Sequence, residues 1–132
     1  MTLSIRIEPV RADSARVSLD GRLDTHTFGE LDQRLAPLLA SDIQSLVLDL
    51  AGLDYISSAG IRSIFKARKA LAARQGKVLV VNPQPQIQKV FDLVKAVPMN
   101  EIFASAAEAD AYLDAMQRKV LRGGDEDDND SA

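Results

Sequence analysis

The chain has 132 residues, a formal net charge of −3 and no cysteine. This length suits one domain with a sizeable hydrophobic core, and the lack of thiols excludes disulfides and cysteine-based zinc sites. The charge is unevenly spread, because residues 123–132 hold five acids and no base, which leaves 14 acids against 16 bases in the 122 residues before them. We predict one mildly basic folded domain over residues 1–122 and a disordered acidic tail over residues 123–132.

No apolar stretch approaches the roughly 20 residues that a membrane-spanning helix needs. The first residues also lack the basic start and apolar segment of a secretory signal. We therefore expect a cytoplasmic protein without direct membrane insertion.

Two alternating segments begin the chain. Apolar and polar residues alternate over residues 3–8 and again over residues 15–20, and this period of two is typical of a strand with one solvated face. A turn over residues 11–14 joins them, so we predict an antiparallel hairpin. Pro9 indicates that the first strand ends there or lies at a sheet edge.

The next elements alternate between helix and strand. A loop over residues 21–27 leads to a helix that Thr27 and Glu30 are spaced to open as a capping box. Apolar runs over residues 45–50 and 78–81 predict two strands that are buried on both faces. A helix between these two strands requires a crossover, so they should be parallel.

The crossover helix is predicted over residues 58–75, with Ile61, Ile64 and Phe65 on its buried face. A further helix should end before Pro98, and Ile102 with Phe103 predicts a short edge strand.

Ser105 and Glu108 form a second capping box, which opens the last helix. The order of elements predicts an α/β fold in a single domain. Its mixed sheet has an N-terminal antiparallel hairpin and parallel central strands, packed with about four helices.

A loop rich in hydroxyl groups joins the first apolar strand to the crossover helix. Either Ser57 or Ser58 can cap this helix, because a serine oxygen there accepts from an unpaired amide of the first turn. The same position lies at the positive end of the helix dipole, where a phosphate is tolerated. We expect Ser58, Ala59 and Ile61 to form a small, nearly neutral convex tip that another protein can cover.

Catalytic and metal chemistry find little support in the sequence. Ile56 stands where a nucleophile elbow needs glycine, and the only histidine, His26, belongs to a different loop. No Gly-rich phosphate loop occurs. Four carboxylates could converge on a hard cation as in phosphoreceiver domains, but the opening hairpin argues against that fold; they are Asp20, Asp24, Asp49 and Asp54. We predict no catalytic residue, no cofactor and no metal.

The crossover helix is strongly basic, with no acid to form pairs along it. Its cations are either a solvated face or a docking strip for an acidic partner; they are Arg62, Lys66, Arg68, Lys69 and Arg74, with Lys77 beyond. Nucleic acid is a poor candidate, because the only aromatic of this helix, Phe65, is predicted to be buried.

The run Leu-Asp-Tyr-Ile-Ser-Ser-Ala-Gly-Ile, residues 53–61, together with Gly-Arg-Leu-Asp at residues 21–24, resembles the bacterial anti-sigma factor antagonists of the STAS domain family. The resemblance covers residues 3–121 and implies a STAS-like fold. It also implies that Ser58, two residues before the loop glycine, is phosphorylated by a partner kinase. Regulatory members commonly read Asp-Ser-Ser-Gly where this chain reads Ser-Ser-Ala-Gly, which makes Ser57 a second candidate.

The resemblance further implies a non-enzymatic protein that works by partner switching. The unphosphorylated form would bind an anti-sigma factor that is also a serine kinase of the histidine-kinase-like ATPase type, and a sigma factor would be released. Phosphorylation at Ser58 would end binding, and a PP2C-type phosphatase would restore the unphosphorylated form. The partner-binding residues expected from the family are Asp24, Thr25, Ser57, Ser58, Ala59, Gly60, Ile61, Arg62 and Lys66.

Two alternatives remain open from the sequence. The chain also resembles in size the stand-alone STAS subunits that dock on the ATPase of lipid-transporting ABC complexes. The third hypothesis is a small hydrolase that uses Ser57 or Ser58 as its nucleophile.

Overall fold

The computed structural model describes residues 2–96 and 104–123. Within them a four-stranded sheet has the order β1-β2-β3-β4, in which β1 and β2 are antiparallel and the other pairs are parallel. The predicted mixed α/β fold is therefore confirmed. The elements in chain order are β1 (Leu3–Arg11), β2 (Ser14–Leu23), α1 (Phe28–Ala40), β3 (Ser45–Ile56), α2 (Ser58–Ala72), β4 (Lys77–Val81), α3 (Pro85–Ala96) and α4 (Ala106–Leu121).

The hydrophobic core lies against one face of the sheet. Along β3, three leucines on this face are fully buried, and they are Leu46, Leu48 and Leu50. The other face carries Val47 and Asp49, which are only half-buried, and Leu79, which pairs with Val47 in the register and is 44% exposed. The prediction that both apolar strands are buried on both faces is wrong, because this second face is only partly covered.

The two central strands are longer than predicted, and this positions the site. β2 continues to Leu23 and β3 continues to Ile56, and these two residues pair in parallel at the ends of their strands. Because parallel strands end at the same edge of a sheet, the loops that follow them lie side by side. Pro9 lies within β1, an edge strand, so the alternative in which that strand ends at Pro9 is wrong.

Helix α2 turns a different face to the core than its spacing predicts. Its buried apolar line runs through Ile61, Ile64, Ala67 and Leu71, whereas Phe65 is 39% exposed. The prediction of a buried Phe65 is therefore wrong. Small Ala67 allows the helix to approach the sheet closely, which rotates the larger Phe65 away from the sheet.

The two predicted capping boxes have different outcomes. Thr27 makes no side-chain cap bond to α1, because its hydroxyl lies 2.8 Å from the carbonyl oxygen of Arg22, to which it donates. Ser105 does cap α4, since its hydroxyl oxygen accepts from the Glu108 N–H at 3.1 Å. The Glu108 carboxylate accepts from the N–H of Ala104, one residue before the cap.

Two predictions fall outside the described residues: the strand at residues 102–103 and the acidic tail beyond Gly123. Within the described ranges, none of the helices combines the length and the apolar character needed to cross a bilayer.

Candidate functional site

The site is built where β2 and β3 end beside each other. The N–H of Ser57 donates to the carbonyl oxygen of Leu23 at 2.9 Å, which extends the parallel pairing by one residue beyond Ile56. Both Leu23 and Ile56 are fully buried. This anchoring fixes the start of α2 relative to the loop that begins at Asp24.

Ser57, and not Ser58, is the N-cap of α2. Its backbone is extended, and its hydroxyl oxygen accepts from the Gly60 N–H at 3.4 Å, a long hydrogen bond. Ser58 is then the first residue of the helix. The prediction that α2 begins at one of these serines is confirmed.

Gly60 is required because the helix approaches β2 closely. A Cβ atom at this position would lie 2.7 Å from Cγ of Leu23, 2.9 Å from its carbonyl oxygen and 3.0 Å from a side-chain carbon of Ile56. Contacts this short force one of the elements to move. The glycine therefore permits the close packing that brings Ser58 to the strand ends.

Ser58 is covered in this structure. The residue is 6% exposed, and Ala59 and Ile61 are 2% and 4% exposed. The prediction that these three residues form a convex tip at the surface is therefore wrong. Helix α4 contacts the loop at this point, since Oδ1 of Asp110 accepts from the backbone N–H of Ser58 at 2.8 Å. The Ser58 hydroxyl is buried, and no residue in the described ranges hydrogen-bonds to it.

A second contact fastens α4 to the end of β3. Gln117 is 1% exposed, and its side-chain amide pairs with the backbone of Ile56 in both directions. Its Oε1 accepts from the Ile56 N–H at 3.0 Å, and its Nε2 donates to the Ile56 carbonyl oxygen at 2.8 Å. One face of α4 carries Asp110, buried Leu113 and Gln117, because the second and third of these lie three and seven residues after the first. Sequence reasoning missed both polar residues.

The loop after β2 is organised around the carboxylate of Asp24, which is 7% exposed. The Asp24 Oδ1 accepts from the backbone N–H of His26 at 2.9 Å. The backbone N–H of Asp24 donates to the hydroxyl oxygen of Thr27, also at 2.9 Å. Burial alone would raise the pKa of Asp24, but the hydrogen bonds from His26 and Thr27 and the nearby Arg22 guanidinium lower it overall. Thr25 and His26 are exposed at the tip of this loop.

Tyr55 links the Asp24 loop to α4. The guanidinium carbon of Arg22 lies 4.0 Å from the centre of the Tyr55 ring, a cation–π distance. Burial raises the pKa of the Tyr55 hydroxyl, and the carboxylate of Asp110 raises it further. Tyr55 thus lies within electrostatic reach of both the Asp24 loop and α4.

A groove of about 400 Å³ between α1 and α2 begins at Ala59. The remaining side chains that line it are Phe28, Asp32, Arg62, Ser63, Phe65, Lys66 and Lys69. Lys66 lies 3.6 Å from the carboxylate of Asp32, so the predicted basic strip gains an acidic partner from α1. Arg74 follows α2 in the chain. Its guanidinium donates to the carbonyl oxygens of Leu39 and Ser41 and so binds the C-terminal end of α1.

The carboxylates considered for a cation do not meet. Asp49 forms an ion pair with Arg16, and Asp54 accepts from Gln84 at 3.4 Å. In the part of the chain that the structure describes, no group of three or more His, Asp or Glu side chains is placed to hold a metal ion.

The comparisons with known proteins agree with one another. The family model of the STAS domain matches residues 7–109. BtrV of Bordetella bronchiseptica, an anti-sigma factor antagonist by name, is 33% identical over 75 residues, which span 57% of this chain and 65% of BtrV. The anti-sigma F factor antagonist of Lysinibacillus sphaericus is 24% identical over 90 residues, which span 67% of this chain and 77% of that protein.

Solved structures of the anti-sigma factor antagonist SpoIIAA from Bacillus share the fold. Its unphosphorylated and phosphorylated forms each align with a TM-score of 0.60 at 21% identity, and each alignment covers 68% of this chain. The alignments cover 83% and 82% of the two SpoIIAA chains.

Proposed function

Because the chain belongs to the STAS domain family, we propose that it is an anti-sigma factor antagonist that works by partner switching. The unphosphorylated form binds an anti-sigma factor that is also a serine kinase of the histidine-kinase-like ATPase type, and a sigma factor is released. Phosphorylation of Ser58 abolishes binding, and a PP2C-type phosphatase restores it. The names of the relatives and the two forms of SpoIIAA support this proposal.

The placement of Ser58 is the observation that carries the proposal. It is the first residue of α2, it follows the paired ends of β2 and β3, and its hydroxyl is not engaged by any described residue. The N-terminus of a helix offers unpaired N–H groups and the positive end of the helix dipole, both of which stabilise a phosphate. Ser57 is less suited, because its hydroxyl oxygen caps the helix.

The groove between α1 and α2 supports a protein partner. Phe28 and Phe65 supply aromatic surface, while Arg62 and Lys69 are exposed cations beside it. Interfaces of this kind combine an apolar centre with a charged rim, and cations at the rim raise the association rate of an acidic partner. Ala59, the residue after Ser58, is among the residues that line the groove, so a partner seated there lies close to the start of α2.

One phosphate is sufficient to switch such an interface. It adds about −1.5 to −2 charges and three acceptor oxygens. Removing an uncompensated charge of this size from water costs several kcal/mol, and a shift of a complex from 99:1 to 1:99 takes about 5.5 kcal/mol. The two magnitudes match, so the added charge alone is enough to abolish binding where the partner supplies no new contacts to the phosphate.

We propose a binding function without catalysis of its own. The Ser58 hydroxyl has no described base to activate it, and the exposed His26 lies in the neighbouring loop, where its backbone N–H donates to Asp24. Nucleophilic catalysis by serine needs a base within hydrogen-bond reach.

The test is calorimetry with the anti-sigma factor kinase isolated from the same organism. Ser58→Ala is expected to keep wild-type affinity, whereas Ser58→Asp and protein carrying phosphoserine at residue 58 should lose it at least about a hundredfold. Ser4→Asp is the matched control, because it adds the same charge on the exposed side of β1. Equal affinities of the Ala and phosphoserine forms would contradict the switch, and co-purification with a membrane ATPase would then favour a docking subunit of an ABC complex.

A further inference from the structure

The start of α2 already holds an anion in this structure, the carboxylate of Asp110. We propose that this carboxylate and a phosphate on Ser58 compete for one anion position at the N-terminus of α2, so that α4 acts as a latch over the phosphorylation site. The inference rests on the proposed function for the presence of a phosphate on Ser58, and it adds how access to that serine is controlled.

Asp110 occupies the position that a phosphate would use. Its Oδ1 lies 2.8 Å from the Ser58 nitrogen, the first amide of the helix. Amides of the first turn have no backbone partner within their own helix, although the Gly60 N–H is already held by the Ser57 hydroxyl. Carboxylate and phosphate are stabilised there by the same N–H groups and the same dipole, so one position cannot hold both.

The buried Ser58 hydroxyl is the second, independent observation. A kinase must bring the γ-phosphorus of ATP to this oxygen; the new O–P bond forms as the bond to ADP breaks, and the hydroxyl proton passes to a base of the kinase. The residue is 6% exposed and its oxygen has no partner in the described ranges. An oxygen that is covered in this way can be phosphorylated only after the cover has moved.

Helix α4 is held unevenly, so it can open from one end. Its first residues, Ala106 to Glu108, are exposed, and Asp110 is the first side chain of the helix that bonds to the Ser58 loop. Leu113 and Gln117 are fully buried further along and keep the second half attached to Ile56. Ala109 is buried as well, at 4% exposure, so opening the first turns requires this small side chain to leave its contacts in addition to loss of the Asp110 bond.

Phosphorylation should hold the latch open. A phosphate on Ser58 places up to two negative charges beside the Asp110 carboxylate and takes over its N–H partner. Like charges at this separation repel, so the first half of α4 stays displaced. The phosphorylated form then differs from the unphosphorylated form in shape as well as in charge.

The test measures amide hydrogen exchange on the full chain with serine or phosphoserine at residue 58. We expect phosphorylation to speed exchange in residues 106–112 by about tenfold or more, while the amides around Gln117 change little. Asp110→Ala should open the latch without phosphate, so that phosphorylation adds less than about threefold. Asp114→Ala is the matched control, because Asp114 lies on the same helix but pairs with Arg118, and it should respond as the wild type does.

Exchange that stays within about twofold on phosphorylation would overturn the latch, even if binding to the anti-sigma factor is lost. An identical response of the Asp110→Ala and wild-type proteins would also overturn it. If the latch opens while phosphorylation leaves binding unchanged, the latch stands and the proposed function fails. The exchange and binding measurements therefore separate the two proposals.

Discussion

Gln117→Leu should weaken the attachment of α4 to the strand that presents Ser58. The wild-type amide satisfies both the N–H and the carbonyl oxygen of Ile56, a residue with no exposed surface. Leucine fills a similar volume but offers neither a donor nor an acceptor. The substitution therefore leaves two backbone groups without these partners in an apolar environment.

The magnitude follows from this count of groups. A buried donor or acceptor that loses its partner costs about 1–3 kcal/mol, so two such groups cost about 2–6 kcal/mol before any gain from the apolar side chain. Burying the leucine returns about 1.5–3 kcal/mol. We expect a net loss of about 2 kcal/mol in the free energy of unfolding, which is a large part of the roughly 5–15 kcal/mol typical of a domain.

Urea unfolding at neutral pH measures this loss directly. The slope of the unfolding free energy against urea concentration should stay unchanged, which shows that the substitution alters the stability and not the unfolding transition. Gln33→Leu is the matched control, because Gln33 is exposed on α1, and it should change the stability by less than about 0.5 kcal/mol. A loss below about 1 kcal/mol for Gln117→Leu would refute the reasoning, since the Ile56 backbone would then not depend on this side chain.

Three further measurements test the site. Gly60→Ala should cost about 1–3 kcal/mol in urea unfolding because its Cβ meets Leu23, whereas Gly29→Ala in α1 meets nothing within 4 Å and should be neutral or stabilising by up to about 1 kcal/mol; equal effects would contradict the close approach. The folded-state pKa of Asp24 lies below its unfolded value, so its carboxylate stabilises the fold at neutral pH and this contribution disappears as the pH falls below about 4. Asp24→Asn should accordingly flatten the acid side of the stability profile, and an unchanged profile would count against it. Lys69→Glu beside the groove should weaken anti-sigma factor binding about tenfold and mainly slow association, while Arg68→Glu, outside the groove lining, should have a smaller effect.

Local patterns predicted most of the elements. The alternation in residues 3–8 and 15–20 reports a strand with one buried face, and the structure pairs these strands with register partners such as Ile7 and Val17. The helical spacing wrongly predicted a buried Phe65, because that prediction considers which residues are apolar and not how large they are. Close packing of α2 against the sheet selects small Ala67 instead.

The sequence did not predict the contacts between α4 and the residues at the end of β3 and the start of α2. Asp110 and Gln117 bond to residues 52 and 61 positions away, and within an amphipathic helix both look like ordinary polar positions. The same is true of Asp24, whose motif predicts a loop residue but not that its own loop buries it. Local spacing predicts which residues begin a helix, whereas long-range packing decides which of them remain accessible.

The buried position of Ser58 separates the two roles of the kinase, as binding partner and as modifying enzyme. A hydrogen bond to a charged group contributes about 1.5–3 kcal/mol, so an equilibrium set by the Asp110 contact alone would expose the serine in about 0.6–7% of chains at any moment. The groove between α1 and α2 does not require that exposure, because Phe65 and the cations that line it are already exposed. Under the proposed mechanism, binding therefore uses the closed state and phosphorylation the open one, so the complex can persist before the kinase ends it.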